Sequence, residues 1–470
     1  MRPAICKLHY LTQLQVVHLK GVVTQHTMHK LIVTAVAAAL LVCTGAQAAN
    51  TENLCEGLFT SNERVKIPAV AKPPFMRFYK DPAFGTKIIR ITQARQGEIF
   101  KPAYSSMQAF NADESLLMLY RGGDDSAHVL LDGKTYQLVR ELDIIPSDLE
   151  EVYWSHTDPD VFYYVSRRSS DYGFFNRYSF ADDESTKIRD FRGICGSKGL
   201  PQGGGDVQMQ SMDDDLFGFR CRAGRDNDSY VMFTYRISTD EVFVAPLNEK
   251  AGWEPWTAPI PGPSGEQVWL QGKVLTPELD KIKVIHDMKK HHEHANIGLT
   301  HDGHDAVFQT VFDPSPKGCN GDIRQGVGHL VVHDMDTGEC RPVINETKGY
   351  PYTTSGTHVS ARAHKRPGWV VMSSIGYGSF EYFTNKRGAP ALLSEIYLAN
   401  TDPENEVVCR LAHHRSFGKS AKNGDYKGYF GEPHATASPS GTRIVFGSDW
   451  YDSGSVDTYV IELPAYSRSN

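Results

Sequence analysis

Three histidines recur at similar places in the second half of the chain, and they suggest metal chemistry. His294 stands in Glu-His-Ala-Asn, His358 in Gly-Thr-His-Val and His434 in Glu-Pro-His-Ala, each opening an apolar, strand-like segment. If these strands lie side by side, the three imidazoles converge and supply most of a metal shell. Cys319 is the candidate fourth ligand, and its thiolate favours Zn²⁺. The sequence therefore predicts a divalent metal site, the alternative being histidines bonded to water and backbone carbonyls.

Basic and aromatic residues form a second candidate set, in the loops predicted to open on the same face. Guanidinium groups bind carboxylates or sulfates, and aromatic faces stack on sugar rings. The set therefore suits an extended anionic ligand, although exposed loops often carry Arg and Lys without such a role. The main members are Arg167, Arg168, Tyr172, Arg222, Arg225, Arg324, Arg387 and Tyr429.

A repeat explains how these residues could be positioned. A short strand, a polar turn and a second apolar strand recur seven times, with a mean spacing of roughly fifty residues, which is typical of propeller blades. The pattern predicts an all-β, seven-bladed β-propeller with four-stranded antiparallel blades, the alternative being a β-sandwich or two β-domains. Residues 87–91 could supply the strand that closes the ring. The units are residues 107–120, 152–165, 207–219, 256–270, 294–308, 358–372 and 434–446.

Composition and charge agree with this fold and exclude one class of partner. The 41 Gly and 25 Pro among 470 residues favour many turns and short strands over long helices. The net charge of −7 argues against a protein that coats nucleic acid. We expect a monomer.

The N-terminal region is predicted to direct export. From Met28 a short basic stretch precedes an apolar segment and the Ala46-Gln47-Ala48 motif, which together are typical of a secretory signal peptide. We interpret residues 1–27 as an upstream extension, 28–48 as the signal and 49–470 as a single propeller domain. The protein would be secreted or periplasmic, with no membrane span after cleavage, the alternative being a retained anchor.

The mature chain would keep six cysteines, at positions 55, 195, 221, 319, 340 and 409. An even number permits disulfides in an oxidising compartment. Cys195 with Cys221 is the first pairing to expect.

The late repeats resemble a known family. The exported propeller, the histidines that open its inner strands and residues 432–449, EPHATASPSGTRIVFGSD, resemble the seven-bladed polysaccharide lyases. These include the ulvan lyases and, more distantly, the oligogalacturonate lyases. In the latter a Gln-x-x-His-x-His stretch helps to bind the metal. Only His434 matches it within residues 429–434, which favours the ulvan lyase branch.

The resemblance implies an anionic polysaccharide as the partner and β-elimination at a uronate. This reaction needs a group that neutralises the carboxylate, a base for the C5 proton and an acid for the leaving O4. Loop position suggests Arg222 or Arg225 as the neutralising group, and Tyr172 or Tyr429 as base or acid. The metal is expected to be structural in ulvan-lyase-like enzymes; without a metal, His358 is a rival base.

Two other functions compete with a lyase. A non-catalytic propeller would bind carbohydrate or protein at the cell envelope. A glycosidase would need two facing carboxylates, for which Asp206 and Glu432 are available.

Overall fold

The computed structural model describes residues 53–466 apart from eleven stretches within them. The predicted extension and signal, residues 1–48, and Asp206 lie outside the described residues. The stretches left out are 124, 197–198, 205–208, 223–229, 246–256, 285–291, 312–318, 320–325, 354–356, 376–389 and 418–427.

The described strands form seven antiparallel sheets, which are the blades of a β-propeller. The chain begins with β1 (Phe78–Lys80) and β2 (Lys87–Arg90). Blade 1 contains β3 (Ile99–Lys101), β4 (Leu116–Gly122), β5 (Ala127–Asp132) and β6 (Leu138–Leu142). Blade 2 contains β7 (Tyr153–Trp154), β8 (Val161–Val165), β9 (Phe174–Ser179) and β10 (Glu184–Asp190). Blade 3 contains β11 (Leu216–Arg222), β12 (Tyr230–Arg236) and β13 (Glu241–Val244).

The remaining blades follow in chain order. Blade 4 contains β14 (Ile260–Pro261), β15 (Val268–Leu270), β16 (Lys273–Leu275) and β17 (Lys281–Val284). Blade 5 contains β18 (His292–Leu299), β19 (Asp305–Val311), β20 (Gly328–Asp334) and β21 (Cys340–Ile344). Blade 6 contains β22 (Thr357–Ser360), β23 (Trp369–Ser374), β24 (Glu395–Asn400) and β25 (Val407–His413). Blade 7 combines β26 (Thr436–Ala437), β27 (Arg443–Ser448) and β28 (Asp457–Glu462) with β2 and β1.

Helix is confined to single turns in the described part of the chain. They are α1 (Arg192–Cys195) and the 3₁₀ turns Glu346–Lys348 and Tyr429–Gly431. No described helix is long and apolar enough to cross a lipid bilayer. The seven-bladed, four-stranded, all-β architecture predicted from the repeat is confirmed.

The N-terminal segment is joined to the last two blades. In blade 7, β2 pairs with β28, and Lys87 lies opposite Glu462, with a salt bridge of 2.9 Å between Nζ and the carboxylate. A disulfide connects Cys55 with Cys409 of β25. These contacts join sequence-distant segments and leave fewer strand edges open to solvent.

The core lies between neighbouring blades, where apolar faces of adjacent sheets pack together. Between blades 2 and 3, for example, the rings of Phe175 and Phe217 lie 4.8 Å apart, and those of Phe191 and Phe219 lie 5.1 Å apart. Each buried Phe of this kind stabilises the fold by roughly 1.5–3 kcal/mol. The predicted Cys195–Cys221 disulfide is confirmed and joins the same two blades.

Candidate functional site

The three predicted histidines meet at one mouth of the channel. His358 lies in β22, His294 lies in β18 of the preceding blade, and His434 stands two residues before β26 of the following blade. The ring centroids of His294 and His358 are 4.4 Å apart, and those of His358 and His434 are 4.5 Å apart. The ring of Tyr104 lies 4.9 Å from that of His434 and 5.4 Å from that of His358. Inner strands of adjacent blades thus bring the three imidazoles together, as the repeat predicted.

Two of these histidines form a possible metal-binding group with Glu432. Its Oε2 atom lies 3.3 Å from Nε2 of His358 and 3.3 Å from Nε2 of His434. The candidate ligand atoms of the three residues all lie within 4.8 Å of one another. His358 and His434 are fully buried, whereas Glu432 is partly exposed.

His294 lies beside this group but is not among the residues whose ligand atoms all lie within 4.8 Å of one another. Its ring stacks on His358 with an interplanar angle of 17°. Nδ1 of His294 donates a hydrogen bond of 3.0 Å to the carbonyl oxygen of Thr357. Because a carbonyl can only accept, Nδ1 carries the proton and Nε2 keeps a free lone pair in the neutral ring.

Lys101 supplies a buried positive charge next to His434. Its Nζ lies 2.8 Å from Nδ1 of His434 and 3.1 Å from the carbonyl oxygen of Glu432. Burial lowers the pKa of Lys101 to about 8, an effect that Glu150 and Glu432 oppose. Burial and the Lys101 charge lower the pKa of His434 to about 3, so its imidazole is neutral near pH 7.

A buried tyrosine–carboxylate pair completes the site. The hydroxyl of Tyr429 donates to Oε2 of Glu150, and the Tyr429 ring lies 4.7 Å from that of His434. Burial raises the pKa of the Glu150 carboxyl, against the opposing effect of Lys101. Burial and the neighbouring Glu150 raise the pKa of Tyr429 well above its ordinary value. Tyr429 therefore keeps its proton at neutral pH.

The backbone at His434 is strained. Its φ angle is 41°, in the left-handed region that side chains other than glycine rarely adopt. Such a conformation costs of order 1–3 kcal/mol and persists where the surrounding structure enforces it. Here Lys101 and Glu432 hold the imidazole from both sides.

Comparison with solved structures places this site on a known fold. No family model and no curated protein matches the sequence. The structure is similar to an oligogalacturonate lyase from Vibrio parahaemolyticus, with a TM-score of 0.57 and 16% identity over 83% of this chain and 96% of that one. It is also similar to an oligogalacturonate lyase in complex with manganese, with a TM-score of 0.54 and 16% identity over 85% of this chain and 99% of that one. Because the sequence identity to both structures is 16%, the similarity shows that the propeller fold is shared.

The residues of the site fit a divalent metal. Two imidazoles and a carboxylate are common ligands of Zn²⁺ and Mn²⁺. Ligand bonds of roughly 2.0–2.2 Å place neighbouring donor atoms about 3.0–3.5 Å apart, and the observed separations are 3.3 Å. Nδ1 of His358 is buried and has no hydrogen-bond partner among the described residues. Because Lys101 donates to Nδ1 of His434, Nε2 of His434 carries the ring proton. A metal would be held at Nε2 only after Lys101 had transferred a proton to Nδ1 and the Nε2 proton had been released to solvent, because a neutral imidazole carries one N–H.

The prediction that Cys319 is a ligand is wrong. Cys319 is fully buried and forms a disulfide with Cys340 at the start of β21. A disulfide sulfur has no thiolate to offer. The preference for zinc that rested on this thiolate is therefore lost.

The predicted loop residues divide into three groups. Tyr429 lies in the site. In the loop between β8 and β9, Arg167 is exposed, Tyr172 is half-buried and Arg168 forms a salt bridge of 2.6 Å with Asp143. Arg222 is the last residue of β11, and its side chain is not described. Arg225, Arg324 and Arg387 lie outside the described residues.

Sequence analysis missed Lys101, Tyr104 and Glu150. The repeat was recognised from residue 107 onward, and Lys101 and Tyr104 lie just before it. Glu150 precedes the short inner strand β7 in the same way. Extending each repeat several residues upstream would have marked all three as channel-mouth positions.

Proposed function

We propose that this protein is a polysaccharide lyase that cleaves a uronate-containing glycan by β-elimination. The observation that carries the proposal is the buried group of His358, Glu432 and His434 beside the Tyr429–Glu150 pair. The fold on which it stands is shared with oligogalacturonate lyases, which supports this reaction class over others.

His294 is the proposed base. Its Nδ1 proton is held by the Thr357 carbonyl, which leaves the Nε2 lone pair free to remove the C5 proton. The side chain is half-buried, whereas His358 and His434 are fully buried. An imidazole with a fixed tautomer is well suited to proton abstraction.

Tyr429 is the proposed acid for the leaving O4 oxygen. Its raised pKa keeps the phenol protonated. Its single proton is donated to Glu150 and would have to turn from Glu150 to O4 as the C4–O4 bond breaks. Glu150 accepts the hydrogen bond of the phenol and so fixes its position beside His434.

The uronate carboxylate needs a neutralising partner. A divalent cation held by His358, Glu432 and His434, either Zn²⁺ or Mn²⁺, would supply a Lewis acid near the substrate or would fix the mouth of the channel. Arg222 or Arg225, proposed from their loop positions, would supply a guanidinium instead.

Two substrate classes follow from different observations. The departure from the Gln-x-x-His-x-His pattern favours a sulfated, ulvan-like polysaccharide. The structural neighbours favour oligogalacturonates.

The purified protein, loaded with Mn²⁺ or Zn²⁺, should be incubated with ulvan, oligogalacturonides, pectate, alginate and glycosaminoglycans. The lyase predicts new near-ultraviolet absorbance from a C4–C5 double bond with at least one of them.

A matched pair of variants tests the site. Tyr429→Phe retains the ring and removes the acid, and we expect a loss of 10²–10⁴-fold in kcat, the typical contribution of general acid–base catalysis. The control is Tyr352→Phe, because Tyr352 is exposed, and its activity should be unchanged. New reducing ends without the double bond would show a hydrolase, and binding without cleavage would show a binding module. Either result overturns the proposal.

We also propose that the protein is exported. The signal-like segment at 28–48 and the three disulfides support an oxidising compartment. Expression of the full sequence in a bacterial host, followed by N-terminal sequencing of the extracytoplasmic fraction, should give a chain that begins near residue 49. A chain that retains residues 28–48 would contradict this proposal.

A further inference from the structure

Arg362 is a buried cation that has no carboxylate partner among the residues that the structure describes. It stands four residues beyond His358 along the innermost segment of blade 6, up to about 13 Å deeper in the channel. Its exposed fraction is 4%, and its Nε lies 3.3 Å from Oδ1 of Asn296. Nη2 of Arg362 donates to the carbonyl oxygen of Ile297. Within the described residues no Asp or Glu forms an ion pair with it.

Two histidines lie beside this arginine. The rings of His156 and His364 are 5.1 Å apart. Nδ1 of His156 and both ring nitrogens of His364 are shielded from solvent and have no hydrogen-bond partner among the described residues. Burial and the Arg362 charge lower the pKa of His156 to about 3. Among the described residues, the cluster therefore offers ring nitrogens without a hydrogen-bond partner and a positive charge without a paired carboxylate.

Asp214, a carboxylate that contacts His156, is hydrogen-bonded to other groups. Asp214 accepts hydrogen bonds from the backbone N–H of His156 at 2.9 Å and from Nε2 of Gln210 at 2.7 Å. It also accepts from the hydroxyls of Ser155 and Thr157, each at 2.6 Å. Among the described residues Asp214 forms no hydrogen bond or ion pair with Arg362.

A small cavity adjoins the guanidinium. Its walls include Ser106, Gln108, His156, Gln210 and Arg362, and the space open to the centre of a water-sized sphere is about 10 Å³. That is about the space that one water molecule needs. A sulfate, a phosphate or a sugar carboxylate would be too large, whereas a monatomic ion is of suitable size.

We propose that this cavity is a halide site in which chloride balances the charge of Arg362. An arginine is always charged in proteins, and a buried charge without a partner is strongly unfavourable. Chloride would accept from the guanidinium and from an N–H of His156. The site joins residues from blades 1, 2, 3 and 6, so a bound ion would tie these blades together across the channel.

The first experiment measures thermal unfolding at constant ionic strength while acetate is replaced by chloride or bromide. Because a ligand that binds the folded state alone stabilises it by RT ln(1 + [L]/Kd), Tm should rise logarithmically with either halide. Arg362→Gln should abolish the dependence. Lys365→Gln, which removes an exposed cation from the same segment, should retain it.

A second experiment does not depend on the folding of a variant. Crystals of the unmodified protein grown in bromide should show an anomalous-scattering peak in the cavity beside Arg362. A cavity that holds only water in bromide, or a Tm that is the same in acetate and halide, overturns the proposal. Neither readout involves lyase activity. A negative result for the halide site therefore leaves the proposed function untouched, and a failure of the lyase assay leaves the halide site untouched.

Discussion

Lys101 and His434 lie 333 positions apart in the sequence, yet Nζ of one is 2.8 Å from Nδ1 of the other. The ammonium must donate, so Nδ1 of His434 must accept and Nε2 must carry the ring proton. Nε2 in turn faces Oε2 of Glu432 at 3.3 Å. A single lysine thus sets the tautomer of a candidate metal ligand and places a positive charge beside the proposed metal.

Removing this lysine should strengthen metal binding. In Lys101→Met the repulsion between the ammonium and the cation disappears, and Nε2 of His434 becomes free to accept the metal. We expect the affinity for Mn²⁺ or Zn²⁺ to rise roughly tenfold, the scale of changes around metal ligands. Titration calorimetry measures this directly. Lys187→Met, at an exposed position, is the control, and weaker binding in Lys101→Met would contradict the interpretation.

Removing the charge of Glu432 should have the opposite effect. Glu432→Gln preserves the size of the side chain but loses the negative charge that faces both His358 and His434. Metal affinity should fall by at least roughly 100-fold, with an unchanged circular dichroism spectrum. Glu404→Gln, an exposed carboxylate in the turn between β24 and β25, should bind metal as the unmodified protein does. Equal affinities for the two variants would exclude Glu432 as a ligand.

Acid should destabilise the fold through buried neutral histidines. Burial lowers the pKa of His128 and of His414 to about 4, whereas an unfolded histidine titrates near 6.5. Between these values the unfolded state binds more protons, so stability decreases as pH falls. Each residue should remove about 2 kcal/mol between pH 6.5 and 5.

Urea unfolding at pH 7 and pH 5 tests this difference. The acid-induced loss should be smaller by about 2 kcal/mol in His414→Gln and unchanged in His301→Gln, where the histidine is exposed. If His414→Gln shows the same loss as the unmodified protein, its buried imidazole is not the group that titrates.

The buried ion pair of Arg410 and Glu395 should hold residues 61–63 of the N-terminal segment against β25. Nη2 of Arg410 lies 2.6 Å from Glu395, and Nη1 donates to the carbonyl oxygens of Ser61 at 3.0 Å and Glu63 at 2.6 Å. Arg410→Met leaves a buried carboxylate unpaired and should cost about 3–5 kcal/mol. Unfolding midpoints measure the loss, and limited proteolysis should cut first near residues 61–63. The double variant Arg410→Met/Glu395→Met should recover part of the stability; no recovery would argue against the pairing.

The disulfides Cys55–Cys409 and Cys195–Cys221 should stabilise the fold by different amounts. Cys55–Cys409 spans 354 residues and Cys195–Cys221 spans 26. A cross-link that closes a longer loop removes more entropy from the unfolded chain, here by about 2 kcal/mol more. The Cys55→Ser/Cys409→Ser variant should therefore unfold at a lower denaturant concentration than Cys195→Ser/Cys221→Ser. The reverse order would contradict the loop-entropy account.

Much of the architecture was predictable because its signals are local. Each blade repeats a strand, a turn and a strand within about fifteen residues, as in 434–446, and seven such units specify a propeller. The same register placed His294, His358 and His434 on adjacent inner strands. Cys195 and Cys221 could be paired because they lie close in sequence.

The partners of those histidines depended on the tertiary structure. Lys101, Tyr104 and Glu150 come from the other end of the chain, and no pattern near His434 points to them. Cys319 was assigned to the metal because its loop was expected on the same face; its disulfide with Cys340 depends on how that loop packs against β21. Periodicity specifies which backbone positions face the channel, whereas contacts made by ring closure decide which side chains touch, which tautomers they adopt and which charges remain unbalanced.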